Sequence, residues 1–294
     1  MRAPSLIRSL VSALVLVGVA GVSACRPPVP EQVLHPSMPT PAGPLLGARA
    51  EWWVPRSSGD SMTFVIDAMS SLQVAQDTTV RTDSTSAHTE LLWRGVTSGR
   101  FSGRVGVFVT RTGNTSTPVS PNTLPLAFSG DARTSGSVLL SSPTPSCAAP
   151  APATAVAAAI YSTRDLWFRL PDTLRVGTVW QDTATMVQCR DGIPLHLSAV
   201  RSYRVARTED TDDGVVVVIT RGQHLTLSGR GDQWGEAVSA EGAGDSQMSL
   251  RVSASTGALL TAEGTGVLEL RFGGTRRMQR VRQTTMTRIR RALK

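Results

Sequence analysis

Alternating apolar and polar residues in the second half of this chain constrain its fold more than any other feature. Three segments carry the alternation most clearly: Leu225 and Leu227; Met248, Leu250 and Val252; and Leu268, Leu270 and Phe272. A period of two is typical of a β-strand with one buried face. Short polar turns such as Ser255-Thr256-Gly257 join the segments, and no crossover helices separate them. This pattern predicts an antiparallel meander.

The first half of the chain repeats the alternation, for example at Phe64 and Ile66. We therefore predict a mainly β fold over residues 51–294, with a large antiparallel meander that forms a curved sheet or half-barrel. The meander is expected as one unit or as two lobes at about 51–142 and 153–294. One short helix is predicted at Ala153–Thr163, where alanines favour it.

The eight apolar residues of the three segments are predicted to share one continuous apolar face, because neighbouring strands in register align such sets. An exposed apolar patch of that size is unusual, so something must cover it. The predicted helix with Trp167 and Phe168 is an apolar cover, but it is short for the area. Two alternatives follow: the N-terminal strands close over the remainder, or the gap admits an apolar ligand.

Residues 1–24 have the features of an export signal. Arg2 and Arg8 precede an apolar run from Leu10 to Val22, which is too short to span a bilayer core of roughly 30 Å. Val22-Ser23-Ala24-Cys25 resembles the lipobox of bacterial lipoproteins. The resemblance implies that the Cys25 sulfur receives a diacylglycerol and becomes the mature N-terminus. An ordinary secretory signal followed by a chance cysteine is the alternative.

The residues after Cys25 predict where the anchor holds the protein. Arg26 stands where an aspartate would resemble an inner-membrane retention signal, which favours the outer membrane, facing the periplasm or the cell surface. Residues 25–50 contain seven prolines and are predicted to form a semi-rigid tether. An arm packed along the domain surface is the alternative. The sequence therefore predicts a lipoprotein of the bacterial cell envelope.

Cys147 and Cys189 are the two cysteines besides Cys25. In an oxidising compartment an isolated pair is most simply a disulfide. Two free thiols or a metal site are the alternatives, but a metal site needs further ligands, and the four histidines are scattered singly. We predict the disulfide and no metal.

The formal net charge of +8 rests almost entirely on arginine, because only Lys294 is a lysine. An exported chain rarely meets nucleic acid, so we predict no nucleic-acid partner and some attraction to anionic surfaces. Residues 276–294 are predicted to form a final strand. That strand would place four arginines on one face: Arg280, Arg282, Arg288 and Arg290. They would protect a sheet edge or contact anionic lipid.

No motif for catalysis is present. The chain has no Gly-x-Ser-x-Gly, no His-Glu-x-x-His and no P-loop. The pairs at Gly229/Gly231, Gly242/Gly244 and Gly264/Gly266 are interpreted as turns or bulges between strands. We predict no catalytic residues and no cofactor. The expected function is a lipid-anchored structural or interaction module, with another envelope protein or lipid as partner; the alternative is a carrier for a lipid or other apolar ligand.

Overall fold

The fold described by the structure consists of β-strands, nine long and three short. The structure, a computed structural model, describes residues 61–76, 78–97, 100–112, 115–118, 126–131, 137–141, 166, 168, 170–171, 174–190, 193–233, 236–255, 257–274 and 278–292. Within these ranges, no helix is long and apolar enough to cross a membrane. The predicted helix Ala153–Thr163 and Trp167 lie outside the described residues.

Twelve strands are described. Their bounds are β1 Ser61–Gln76, β2 Thr79–Thr97, β3 Arg100–Thr112, β4 Thr115–Pro118, β5 Leu126–Asp131, β6 Ser137–Ser141, β7 Val179–Arg190, β8 Ile193–Thr211, β9 Gly214–Gln233, β10 Glu236–Ser253, β11 Leu259–Gly274 and β12 Met278–Ala292. The mainly β prediction is confirmed.

The nine long strands form one antiparallel meander in the order β7-β8-β9-β10-β11-β12-β1-β2-β3. The predicted final strand is present as β12, and it pairs with β1 from Gln279 to Ala292 and with β11 from Met278 to Arg290. β12 is therefore an interior strand, so the interpretation of its arginines as edge protection is wrong. The pairing of β1 with β12 also places both segments proposed as lobes in one sheet.

Short strands bridge the two ends of this meander. β3 pairs with β4 through Val109–Thr112 and with β5 through Arg100–Val105, and β5 pairs with β6. β6 then meets β7 in parallel at two residue pairs, Ser137↔Thr183 and Val138↔Ala184. The sheet is therefore curved, as predicted, and one of its faces is turned inward.

Several glycines that were predicted to form turns or bulges between strands lie inside strands and face inward. That prediction is wrong. Gly242 and Gly244 lie within β10, and Gly264 lies within β11. A Cβ added to Gly244 would lie 2.5 Å from the Val267 backbone oxygen, and one added to Gly264 would lie 2.6 Å from that of Gln247. Glycine at these positions lets adjacent backbones approach closely where the sheet curves.

The inner face carries two apolar clusters. The upper cluster lies at the end where β1 begins and β12 ends, and it includes Phe64, Ile66, Leu91, Trp93, Val105, Phe108, Val217, Ile219, Met248, Leu250, Val252 and Ile289. Leu166, Phe168, Leu170 and Leu174 precede β7 and are buried in this cluster. The lower cluster lies at the opposite end and includes Leu72, Ile193, Leu195, Leu197, Leu225, Leu227, Leu268, Leu270, Phe272 and Val281.

Candidate functional site

A row of polar residues crosses the inner face between the two apolar clusters. Each of the nine long strands contributes one residue at this level. From β7 to β3 the polar row consists of Asp182, Arg201, Gln223, Ser246, Gly266, Thr285, Ser70, Thr85 and Thr112. All are buried except the half-buried Thr112. Eight of the nine residues have polar side chains, and Gly266 has none. This polar layer inside a curved sheet is the main departure from the predicted apolar face.

The register of the strands defines this row. Arg201 is paired with Asp182 on one side and with Gln223 on the other. The β9–β10 pairing has the same register at both ends, at Ala237↔Asp232 and Ser253↔Val216, which sets Gln223 opposite Ser246. On the far side of the row, Gly266 pairs with Thr285, Thr285 with Ser70, and Ser70 with Thr85.

A buried ion pair occupies the β7–β8 end of the polar row. Arg201 donates from Nε to Asp182 Oδ1 at 2.6 Å and from Nη2 to Asp182 Oδ2 at 2.9 Å. The two side chains are 2% and 1% exposed. The Tyr203 hydroxyl also lies 3.3 and 3.2 Å from the two Asp182 oxygens. The carboxylate is thus held by a bidentate guanidinium and a phenol, a charge-assisted arrangement with defined geometry.

Aromatic rings enclose this ion pair on the side of the upper cluster. Trp180 stacks on Tyr203 with ring centroids 4.9 Å apart, and Phe168 lies at 6.3 Å from the same ring. Burial raises the pKa of the Tyr203 hydroxyl above its ordinary range, although the nearby Arg201 guanidinium opposes the shift. Tyr203 therefore stays protonated at neutral pH and acts as a hydrogen-bond donor.

The other half of the row is held by uncharged groups. Ser70 Oγ lies 3.0 Å from Thr285 Oγ1, and Gln283 donates from Nε2 to Ser70 Oγ at 3.0 Å. The Ser246 and Thr85 hydroxyls are buried and have no hydrogen-bond partner among the described residues. The row thus combines a charged end at β7–β8 with a hydroxyl-rich end at β12–β2.

The residues predicted for one apolar face are all on the inner face, and none is more than 8% exposed. They divide between the clusters, however. Met248, Leu250 and Val252 lie in the upper cluster with Phe168, whereas the lower cluster contains Leu225, Leu227, Leu268, Leu270 and Phe272. The expectation of one continuous face is wrong, because Gln223, Ser246 and Gly266 pass between the two sets.

Sequence reasoning missed the polar row, although a signal was present. Extending an apolar alternation by two residues reaches the row on the same face: Leu225 leads to Gln223, Met248 to Ser246, and Leu268 to Gly266. The same step from Ala68 reaches Ser70. Where several alternations end at polar residues on neighbouring strands, a buried polar layer is indicated.

The predicted anchor and crosslink are not located by the structure. Cys25 and Cys147 lie outside the described residues. Cys189 is on β7, where only its backbone is described, opposite Pro194. The lipidation of Cys25 and the Cys147–Cys189 disulfide therefore stay predictions.

The chemistry of the row is that of hydrogen bonding and charge pairing. The Asp182 carboxylate is occupied by Arg201 and faces Tyr203, whose hydroxyl is a poor acid in this environment. Among the described residues, no three His, Cys, Asp or Glu side chains are grouped to hold a metal ion. The row can orient strands or bind a polar group; it holds no nucleophile paired with a base in its described contacts.

Comparison with known proteins yields only distant matches. No protein-family model and no curated protein sequence matches this chain. Among solved structures, a DUF1329 family protein from Desulfovibrio piger is 9% identical and covers 77% of this chain and 85% of its own, with a TM-score of 0.16.

Two Pseudomonas aeruginosa proteins are similar to the same degree. OccK11 is 8% identical over 83% of this chain and 99% of its own, with a TM-score of 0.22. OccK2 is 9% identical over 80% of this chain and 99% of its own, with a TM-score of 0.23. TM-scores this low do not establish a shared fold or a shared function.

Proposed function

We propose that this chain is a lipid-anchored protein of the bacterial envelope that acts as a structural or interaction module without catalysis. The observation that carries the proposal is the buried apolar inner face. The eight residues of the predicted apolar face are each at least nine-tenths buried. A core of this kind stabilises the sheet and leaves the outer face and the strand ends for contacts with partners.

The envelope location rests on the N-terminal sequence. An apolar run that ends in Val22-Ser23-Ala24-Cys25 supports export, cleavage before Cys25 and lipidation of its sulfur. Arg26 supports sorting to the outer membrane. A single lipid chain binds a membrane only marginally, so a diacylglycerol is a more durable anchor.

Replacement of the anchoring cysteine tests the location. Cys25→Ser removes the acceptor sulfur, so we expect the protein to lose metabolic acyl labelling and to leave the membrane fraction or stay uncleaved. Cys147→Ser is the control, since it replaces a cysteine outside the signal and should keep both acyl labelling and membrane association. Acyl labelling that survives in Cys25→Ser would overturn the assignment.

The non-carrier function is tested on protein purified from its native membrane. Extraction of the folded protein followed by mass spectrometry should recover the covalent anchor and no stoichiometric free lipid. Cross-linking in intact cells should capture envelope proteins through the exposed outer face. A free acyl lipid recovered at one per chain would favour a carrier instead.

A carrier for an apolar ligand is the second candidate, and one observation favours it. The sheet joins across β6 and β7 by two parallel residue pairs, Ser137↔Thr183 and Val138↔Ala184. The neighbouring β7–β8 pairing extends from Val179↔Arg204 to Arg190↔Ile193. Separation of β6 from β7 would therefore break few hydrogen bonds and give access to the inner face beside Asp182.

A cross-link across this junction tests the carrier. Under this function, the wild type should bind the dye N-phenyl-1-naphthylamine, and palmitic acid should displace it. The double variant Ser137→Cys/Thr183→Cys, when oxidised, should bind the dye much more weakly and recover binding on reduction. Equal binding in the oxidised and reduced forms, or no binding by the wild type, would exclude entry at this junction.

A further inference from the structure

The upper end of the sheet, at which β1 begins, carries exposed arginines. β1 begins at Ser61 and β12 ends at Ala292, and Thr63 pairs with Ala292. The residues that connect Cys25 to the sheet therefore join it at this end. On neighbouring strands at the same end, Arg94 of β2 and Arg104 of β3 are exposed.

Register places these two arginines close together. Arg94 pairs with Ser102, and Arg104 pairs with Leu92, so the two arginines are diagonal neighbours on adjacent strands. Such positions lie about 7–8 Å apart. Each faces outward, because the flanking Trp93, Gly103 and Val105 are buried. The pair thus presents two positive charges to one side of the upper end.

These two guanidiniums are not neutralised by the described residues. Neither Arg94 nor Arg104 has an ion-pair partner there. The acids nearest on β1 and β2 are engaged by His88, which lies 2.6 Å from Asp67 and 3.5 Å from Glu90. Asp67 also lies 3.6 Å from Arg290.

Two arginines of β12, Arg282 and Arg288, differ in this respect. Arg288 is 2.8 Å from Glu263, and Arg282 is 3.8 Å from Glu269. Cross-strand pairs of this kind reduce the local field that a charged partner would meet. Arg94 and Arg104 therefore differ from these two arginines in carrying charges that no described acid offsets.

We propose that Arg94 and Arg104 form a docking surface for the anionic phospholipid headgroups of the membrane in which the chain is anchored. The proposal rests on the proposed lipid anchor, because an anchored Cys25 would connect this end of the sheet to the same membrane. Guanidiniums near an anionic bilayer each strengthen binding, typically about fivefold. A basic surface and a lipid together make anchoring more durable than either alone.

The test uses the chain from residue 25 with Cys25→Ser, so that no lipid contributes. Flotation with vesicles of phosphatidylethanolamine and about one-third phosphatidylglycerol should recover the protein, and pure phosphatidylcholine vesicles should not. Binding should fall steeply as salt shortens the screening length from about 10 Å at 0.1 M toward 3 Å at 1 M. Arg94→Glu/Arg104→Glu should weaken binding by more than tenfold.

A matched double variant controls for net charge. Arg282→Glu/Arg288→Glu changes the total charge by the same amount at acid-paired positions, and it should bind within about threefold of the unmodified domain. Unchanged thermal unfolding establishes that each variant is folded. Equal weakening by both doubles, equal binding to both kinds of vesicle, or no binding at all would overturn the docking surface. The acyl labelling of Cys25 tests the lipid anchor separately, so a failure of the docking surface can be distinguished from a failure of the anchor.

Discussion

The buried pair Asp182–Arg201 places two opposite charges out of contact with water. Removing a charged side chain from water is costly, and the attraction between the partners offsets that cost only with good geometry. The bidentate contact and the Tyr203 hydroxyl supply that geometry here. A slip by one residue would turn Asp182 to the outer face, so the pair favours a single β7–β8 register.

Breaking the pair should destabilise the protein strongly. Asp182→Ala leaves the Arg201 guanidinium buried without its carboxylate, so we expect a loss of about 3–5 kcal/mol in the free energy of unfolding. Asp182→Leu/Arg201→Met replaces both partners by apolar groups and should recover most of that loss. Urea denaturation followed by circular dichroism measures both. A double variant as unstable as Asp182→Ala would show that the ion pair itself is needed.

At the scale of elements, the curvature of β10 and β11 depends on glycines that face inward. Gly244 is opposite Leu268, and an added Cβ would meet the Val267 backbone oxygen at 2.5 Å. The Val267 backbone cannot move aside in the way that a flexible side chain can. Gly222 in β9 also lies in a strand, but its added Cβ would meet the Ser246 backbone oxygen at a comfortable 3.8 Å.

Alanine at these two glycines should therefore have opposite effects. Gly244→Ala is expected to lower the free energy of unfolding by about 1–3 kcal/mol, because the two strands must separate locally. Gly222→Ala should be neutral or stabilising by up to about 1 kcal/mol, since alanine loses less backbone entropy on folding. Chemical denaturation of both variants measures the difference. Equal effects would mean that close approach at Gly244 does not limit the packing of β10 on β11.

At the scale of the molecule, the two ends of the chain share one sheet and one core. Leu72 of β1 and Leu270 of β11 both belong to the lower cluster. β1 also pairs with β12 along most of its length. We therefore expect damage to the lower cluster to affect strands from both halves of the sequence.

Leu270→Asp tests this expectation. The side chain is 2% exposed, so the substitution buries a carboxylate among apolar groups and should cost at least about 4 kcal/mol. Loss of β-sheet circular dichroism together with general protease sensitivity is the expected result. Glu269→Ala, one residue away on the outer face, should change stability by less than about 0.5 kcal/mol. A folded Leu270→Asp variant would mean that water can reach position 270 in the lower cluster without unfolding the protein.

Local pattern was enough to predict the strands and their buried face. Alternation at Met248, Leu250 and Val252 reports that one side of a strand is apolar, because side chains point to opposite faces in turn. The strand at β12 was predicted from composition instead, because Thr284, Thr285 and Thr287 favour a strand. The lipobox resemblance at Cys25 concerns only the N-terminal segment, so it carries no information about how the strands associate.

Tertiary structure alone decided which strands are neighbours. β12 looked like an edge because its arginines would protect one, but β1 returns to pair with it from more than two hundred residues away. The polar row exists only because the eight registers between neighbouring long strands align Asp182, Gln223, Ser246, Thr285 and Ser70 at one level. Periodicity along a strand determines the face of each residue; the level at which strands pair depends on contacts between distant segments, and local sequence does not contain it.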